Sequence, residues 1–143
     1  MTKVDCSKVF IDSSTFSTPD NTINGAFAKV DIKKGELVER GLVHRLSDDT
    51  NRVFDGMKNP YVFTWSDNEP NHTWAFTSGC AAFYNSGLES QTNTRMDRFF
   101  DEDRFEIYAT KDIKKGDELT HTYKSLKWRD VFVPLYAELT KNK

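Results

Sequence analysis

Along most of this chain, apolar and polar residues alternate over short runs, the period that predicts β-strands. Runs of this kind stand at Val9–Ile11, Tyr61–Trp65, Thr73–Phe76 and Arg95–Phe99. The stretch "RFFDEDRFEIY" reads as a hairpin with an acidic turn at Asp101–Asp103. Two longer stretches are near copies of each other: "FAKVDIKKGELVE", Phe27 to Glu39, and "YATKDIKKGDELT", Tyr108 to Thr120. In each, a β-prone run leads into Asp-Ile-Lys-Lys-Gly turn chemistry and then into a second β-prone run. Each copy therefore reads as strand, turn, strand. Local chemistry leaves open whether these are two ordinary hairpins sharing a good turn or a meaningful repeat. After Tyr123 the pattern changes. "KSLKWRDVFVPLYAELTKNK" is the best helical segment, with Ser125 as a cap and Pro134 expected to end or kink it. The fold class expected from the pattern is mainly β with short helices.

The chain has 143 residues, which predicts a single domain over 1–143, and no low-complexity segment or linker divides it. A domain of this size buries roughly 68–70% of the surface of its unfolded chain, so its core needs neither disulfide nor metal. The formal net charge is -2, with acids and bases dispersed. That balance gives no support to wholesale nucleic-acid binding, although Lys33–Lys34 and Lys114–Lys115 could form a local basic patch. Two cysteines, Cys6 and Cys80, lack CxxC spacing, which argues against a zinc site or a disulfide framework, and no metal is expected. Two isolated thiols fit a reducing, intracellular and cytoplasmic setting. The N-terminus has no signal-peptide core, and no run approaches the roughly 20 apolar residues of a membrane span.

Several reaction classes lack their residues. There is no phosphate-binding glycine loop, no GxSxG elbow and no HExxH pair. His44, His72 and His121 have no metal-ligand spacing. A two-carboxylate hydrolase stays open, since 22 acidic residues offer many pairs. What stands out is the aromatic content, 13%, concentrated in "NPYVFTW", "TWAFTSGCAAFYNSG" and "ELTHTYKSLKW". Such rings ordinarily form core; hydroxyl-bearing rings near turns also suit a narrow channel for a cation.

In this order the segments resemble a SET domain, the protein-lysine methyltransferase fold, from about Asn24 to Trp128. "NGAFAKVDIKKGELV" is similar to the family's opening GxG-containing motif and the turn after it. "NPYVFTW" is similar to the middle strand that carries a tyrosine. "SGCAAFYNSG…TN" stands where the family has an apolar segment, Asn-His-Ser and then Pro-Asn. "IYATKDIKKGDELTHTY" is similar to the closing motif with its terminal tyrosine, and this is the most specific match. Departures are plain: Ile23-Asn24-Gly25 replaces GxG, Ser86 and Gly87 follow Asn85 in place of His and Ser, and Thr92-Asn93 replaces Pro-Asn. A second Asn-His-Thr, Asn71 to Thr73, precedes the apolar segment instead of following it and is set aside as loop. The cysteine-rich segment that usually follows the domain has no counterpart.

The resemblance implies a β-clip fold of small sheets closed by a C-terminal pseudoknot, and a lysine N-methyltransferase using S-adenosylmethionine. It implies Tyr123 as the catalytic residue. It implies cofactor contacts at the backbone of Gly25, Ala26 and Phe27, at Asn85 and the Ser86 backbone, with Trp128 on the adenine. Tyr61, Tyr84 and His121 become the walls of the substrate channel. A neutral lysine amine must attack the methyl, and a desolvated channel beside a sulfonium lowers the amine pKa without a strong protein base. His121 could add a pH dependence to the rate. The implied partner is a protein presenting a lysine, a histone or another host protein, as for the small stand-alone viral and bacterial members, with a homodimer possible. Nucleic acid and membrane are not expected partners. The alternatives are a degenerate module that binds S-adenosylmethionine or a protein tail without turnover, and a dimerisation scaffold.

Overall fold

The computed structural model describes residues 2–47, 62–65, 73–123 and 132–141. Among the described residues there are eight strands: β1 Val9–Ser13, β2 Asn24–Ala28, β3 Leu37–Arg45, β4 Phe63–Thr64, β5 Trp74–Thr77, β6 Thr94–Phe99, β7 Arg104–Ala109 and β8 Glu118–Leu119. They form two antiparallel sheets, ordered β1-β2-β8 and β4-β5-β3-β7-β6. Among the described residues there is one α-helix, α1, Val133–Thr140. No helix among them is long and apolar enough to cross a membrane. Mainly β architecture with little helix is thus what the chain adopts.

Strand β7 shows why the alternation was readable. Phe105, Ile107 and Ala109 are buried, while Arg104, Glu106 and Tyr108 between them are partly exposed. Its neighbour β3 departs from period two. The register shifts between Leu37, opposite Tyr108, and Glu39, opposite Ile107, so Val38 is an extra residue. This bulge turns two successive side chains inward, and Val38 and Glu39 are both buried. At the β6–β7 turn, Asp103 adopts a left-handed conformation with φ 49°. Its carboxylate accepts from Arg45 at 2.6 Å and from the Trp65 indole at 3.0 Å, which holds the hairpin end onto β3 and β4.

The two near-copies are indeed strand-turn-strand units, but neither folds as a hairpin on itself. Each exchanges partners with the other. β2, before the first turn, pairs with β8, after the second; β3, after the first turn, pairs with β7, before the second. The turns meet at an antiparallel bridge in which Ile32 and Ile113 exchange both backbone hydrogen bonds, at 2.8 and 2.7 Å. Asp31 accepts from Lys115 N–H at 2.8 Å, and Asp112 accepts from Lys34 N–H at 2.9 Å. Gly35 N–H donates to Ala109 and Gly116 N–H to Ala28, both at 2.8 Å. With φ of 90° and 92°, these two glycines take a backbone shape that other residues rarely adopt. Both isoleucines are buried in the core between the sheets. The motif is written twice because each copy completes the other.

The chain closes by laying residues 118–121 between two earlier segments. Thr120 bridges Asn85 in parallel on one side; His121 bridges Thr94 in parallel on the other. Asn93 clamps this closure: its amide donates to the Glu118 carbonyl at 2.8 Å and accepts from Thr120 N–H at 2.9 Å. This is the threaded closure that the family resemblance implied. Pro134 lies in the first turn of α1, where its missing N–H has no intrahelical partner to lose and its fixed φ is already helical; the segment before it, on which its expected ending or kinking of a helix depends, lies outside the described residues. Ser125, expected to cap the helix, lies outside the described residues.

Candidate functional site

The closure brings two groups of side chains together on either side of Asn85. One is polar. Glu118, at the start of β8, accepts from Ser14 Oγ at 2.7 Å, Thr15 N–H at 2.8 Å, Thr15 Oγ1 at 2.6 Å and Asn85 Nδ2 at 3.0 Å. Partial burial alone would raise its pKa, but the bonds from Thr15, Asn85 and Ser14 outweigh it and the carboxyl is held below the ordinary glutamate value. Asn85 Nδ2 also reaches Ser14 Oγ at 3.1 Å and the Asn24 carbonyl at 3.0 Å, so the Asn85 side chain joins β2, β8 and the residue that follows β1. Gly25 lies beneath this group. A Cβ there would run into the Glu118 carboxylate and crowd the Ser14 side chain, so with Gly25 in place Glu118 keeps its position on Ser14, Thr15 and Asn85. Ala26 and Phe27 are buried in the middle strand, their backbone paired with Ile11 and Phe10 on one side and with Leu119 and Glu118 on the other.

The second group is aromatic. Tyr123 donates its hydroxyl to the Tyr84 carbonyl at 2.8 Å, and its N–H donates to Ser86 Oγ at 3.1 Å. Its ring lies against Phe132, with centroids 4.8 Å apart, and edge-on to His121 at 5.2 Å. His121 is sandwiched further, stacked on Tyr84 at 5.7 Å and edge-on to Phe63 at 6.3 Å. Tyr84 is almost wholly buried, and its hydroxyl turns away from Tyr123 to Glu39 Oε1, at 2.9 Å. Burial, and then the Glu39 carboxylate, push that phenol well above its ordinary pKa. Tyr84 therefore offers this cluster its ring face and its carbonyl.

His121 differs from expectation. Both ring nitrogens are buried and find no hydrogen-bond partner among the described residues. Burial, helped by the charge of Arg98, pushes its pKa down to about 3. The ring is neutral at any pH near 7, so its environment does not support the pH dependence expected from His121.

Gly25, Asn85, Ser86, Tyr84, His121 and Tyr123 are thus neighbours in space. Tyr61 and Trp128 lie outside the described residues. Three contributors were not singled out in the sequence. Glu118 had a signal, its fixed place in the closing motif. Ser14 and Phe132 had none, since only the fold carries them to Asn85 and Tyr123.

The model of the SET domain matches residues 24–124. The chain belongs to the SET domain family. Solved structures agree in fold. A Plasmodium falciparum chain assigned as a histone methyltransferase superposes with a TM-score of 0.58 at 20% identity, covering 85% of this chain and 96% of its own. The Chaetomium thermophilum Polycomb Repressive Complex 2 solved with H3K27me3 and H3K27M gives 0.61 at 26% identity, over 80% of this chain and 14% of that one. The same complex in an autoinhibited conformation bound to S-adenosylmethionine gives 0.62 at 22%, over 96% of this chain. This SET chain thus spans only 17% of the latter's length. No curated protein matches it.

Proposed function

We propose that this SET chain is a protein-lysine N-methyltransferase that takes its methyl group from S-adenosylmethionine. The observation that carries the reading is the position of the Tyr123 hydroxyl. It is held at the Tyr84 carbonyl, inside an aromatic cluster, one bridge away from the polar group around Asn85.

The residues present fit the cofactor. Glu118, kept ionised by four donors, and Asn85 with its amide suit the ammonium end of an amino-acid-derived ligand. Gly25 and the Ser86 backbone border the same group, and Trp128 is assigned to the adenine by motif position. Ala26 and Phe27 have backbone committed to the sheet, so their part is to hold Gly25 in place. When bound, S-adenosylmethionine supplies a methyl group on a positively charged sulfur. Tyr84, His121 and Tyr123, with Tyr61 by motif position, form the walls for the incoming lysine. Ring faces favour a nearby cation, and a neutral His121 adds no competing positive charge. Exclusion of water by these rings disfavours the lysine ammonium and makes the neutral amine accessible. The Tyr123 hydroxyl and the Tyr84 carbonyl then orient the reacting groups, which is worth much of the rate in a transfer between two bound partners. The substrate class is a lysine-bearing protein; the histone names carried by the structural neighbours make histone tails the first to try.

Two measurements test this reading. Calorimetric titration with S-adenosylmethionine asks whether the chain binds it. Incubation of wild type and Tyr123→Phe with labelled cofactor and histones asks whether it transfers. Binding with no label on any protein would favour the degenerate module, to which Ser86 and Gly87 in place of His-Ser would point.

A further inference from the structure

We propose that Cys6, Glu39 and Cys80 form a binding site for a zinc-type divalent cation, with two thiolates and one carboxylate as protein ligands. One ligand atom from each of the three lies within 4.8 Å of the other two. The three come from separate parts of the chain, and the backbone sets each in place. Asp5 and Arg40 exchange backbone hydrogen bonds at 2.9 and 3.0 Å, which puts Cys6 alongside Glu39. The bulge in β3 turns Glu39 inward. Cys80 N–H then donates to Glu39 Oε2 at 2.8 Å, which pins the third ligand to the second.

The chemistry suits a cation. Glu39 is fully buried, and among the described residues no lysine, arginine or histidine forms an ion pair with it. A buried carboxylate without a counter-ion is costly. A dication held among the three would supply that counter-charge. Two sulfurs and one oxygen are a ligand set for zinc, at about 2.3 Å to sulfur and 2.0–2.2 Å to oxygen in tetrahedral geometry, so a small inward movement of the side chains suffices. Both cysteines are partly exposed, which leaves an entry path and a fourth position for water. The other Glu39 oxygen accepts from Tyr84, so the ion would be braced by the residue that also holds Tyr123. The distance between the two cysteines in the chain hid this set from a reading based on spacing. The proposal does not depend on the methyltransferase reading.

The full chain, reduced with a phosphine and freed of metal by a chelator, is titrated with Co²⁺ and then with Zn²⁺. One equivalent of Co²⁺ should give thiolate-to-cobalt charge-transfer absorption and visible bands of tetrahedral intensity, which Zn²⁺ abolishes. Cys6→Ser and Cys80→Ser should each weaken binding at least about 10–100-fold, the range seen even for outer-shell losses. Should Cys80→Ser fail to fold, Cys6→Ser alone decides, since that residue lies in the half-exposed N-terminal segment. Absence of saturable uptake, octahedral bands without charge transfer, or uptake unchanged in Cys6→Ser would overturn the proposal.

Discussion

The hydroxyl of Tyr123 donates to the main-chain carbonyl of Tyr84 at 2.8 Å. The two residues are thus joined through backbone, while the Tyr84 hydroxyl is spent on Glu39. A rigid neighbour therefore aims the Tyr123 phenol, and that neighbour's own position is fixed in the core. Removing the Tyr123 oxygen leaves its ring packing on Phe132 and His121 intact. Tyr123→Phe should cost only about 1 kcal/mol of stability, the net worth of one hydrogen bond, and should leave S-adenosylmethionine affinity within about twofold. Urea unfolding and calorimetry check both. A loss of several kcal/mol would mean that the hydroxyl serves the core.

Asn85 has the opposite profile. Its amide ties Ser14, Asn24 and Glu118 together. Asn85→Ala should weaken S-adenosylmethionine binding by at least about tenfold and lower stability by about 1–3 kcal/mol, because Glu118 and Ser14 lose a half-buried donor. Unaltered affinity in a folded Asn85→Ala protein would remove the cofactor assignment from this group.

His121 makes stability fall in acid. Its folded pKa, pushed down to about 3, lies below the ordinary histidine value of 6.5. Between those values the unfolded chain binds a proton that the folded chain does not, so stability is lost as pH falls from 6.5 toward 3. The slope of a single such group is about 1.4 kcal/mol per pH unit. The stability difference between His121→Phe and wild type should therefore grow in favour of the variant as pH is lowered through this window. Taking the difference cancels the contributions of other titrating groups. A pH-independent difference from urea titrations would show that the imidazole is not desolvated.

Ile32 and Ile113 face each other across the two turns and are both buried. Ile32→Ala and Ile113→Ala should each cost about 2–5 kcal/mol, and the double variant should deviate from additivity by about 0.5–3 kcal/mol, as expected for residues in one shared bridge. Strict additivity in a double-mutant cycle would contradict the exchange of partners between the copies.

The fold was legible where alternation was clean. β7 reads as a strand because Phe105, Ile107 and Ala109 point one way. The order of motifs from Asn24 onward led to the SET family because it depends on residue types, not on contacts. Partner exchange between the "DIKKG" copies was not legible, since either pairing satisfies the same turn chemistry. Glu39 was not readable as buried, because a one-residue bulge overrides the alternation at Val38. Around the site, Asn85 and Tyr123 were marked by their places in motifs. Ser14, Phe132 and the Cys6–Glu39–Cys80 group were invisible, since each joins its neighbours only through tertiary structure.

Mass spectrometry of histone and lysate proteins after incubation with S-adenosylmethionine is the most direct test. The account predicts that wild type adds methyl groups to a defined lysine and that Tyr123→Phe, folded and still binding the cofactor, adds none. Equal yields from the two proteins, or no methylated lysine from a wild type that binds S-adenosylmethionine, would contradict it.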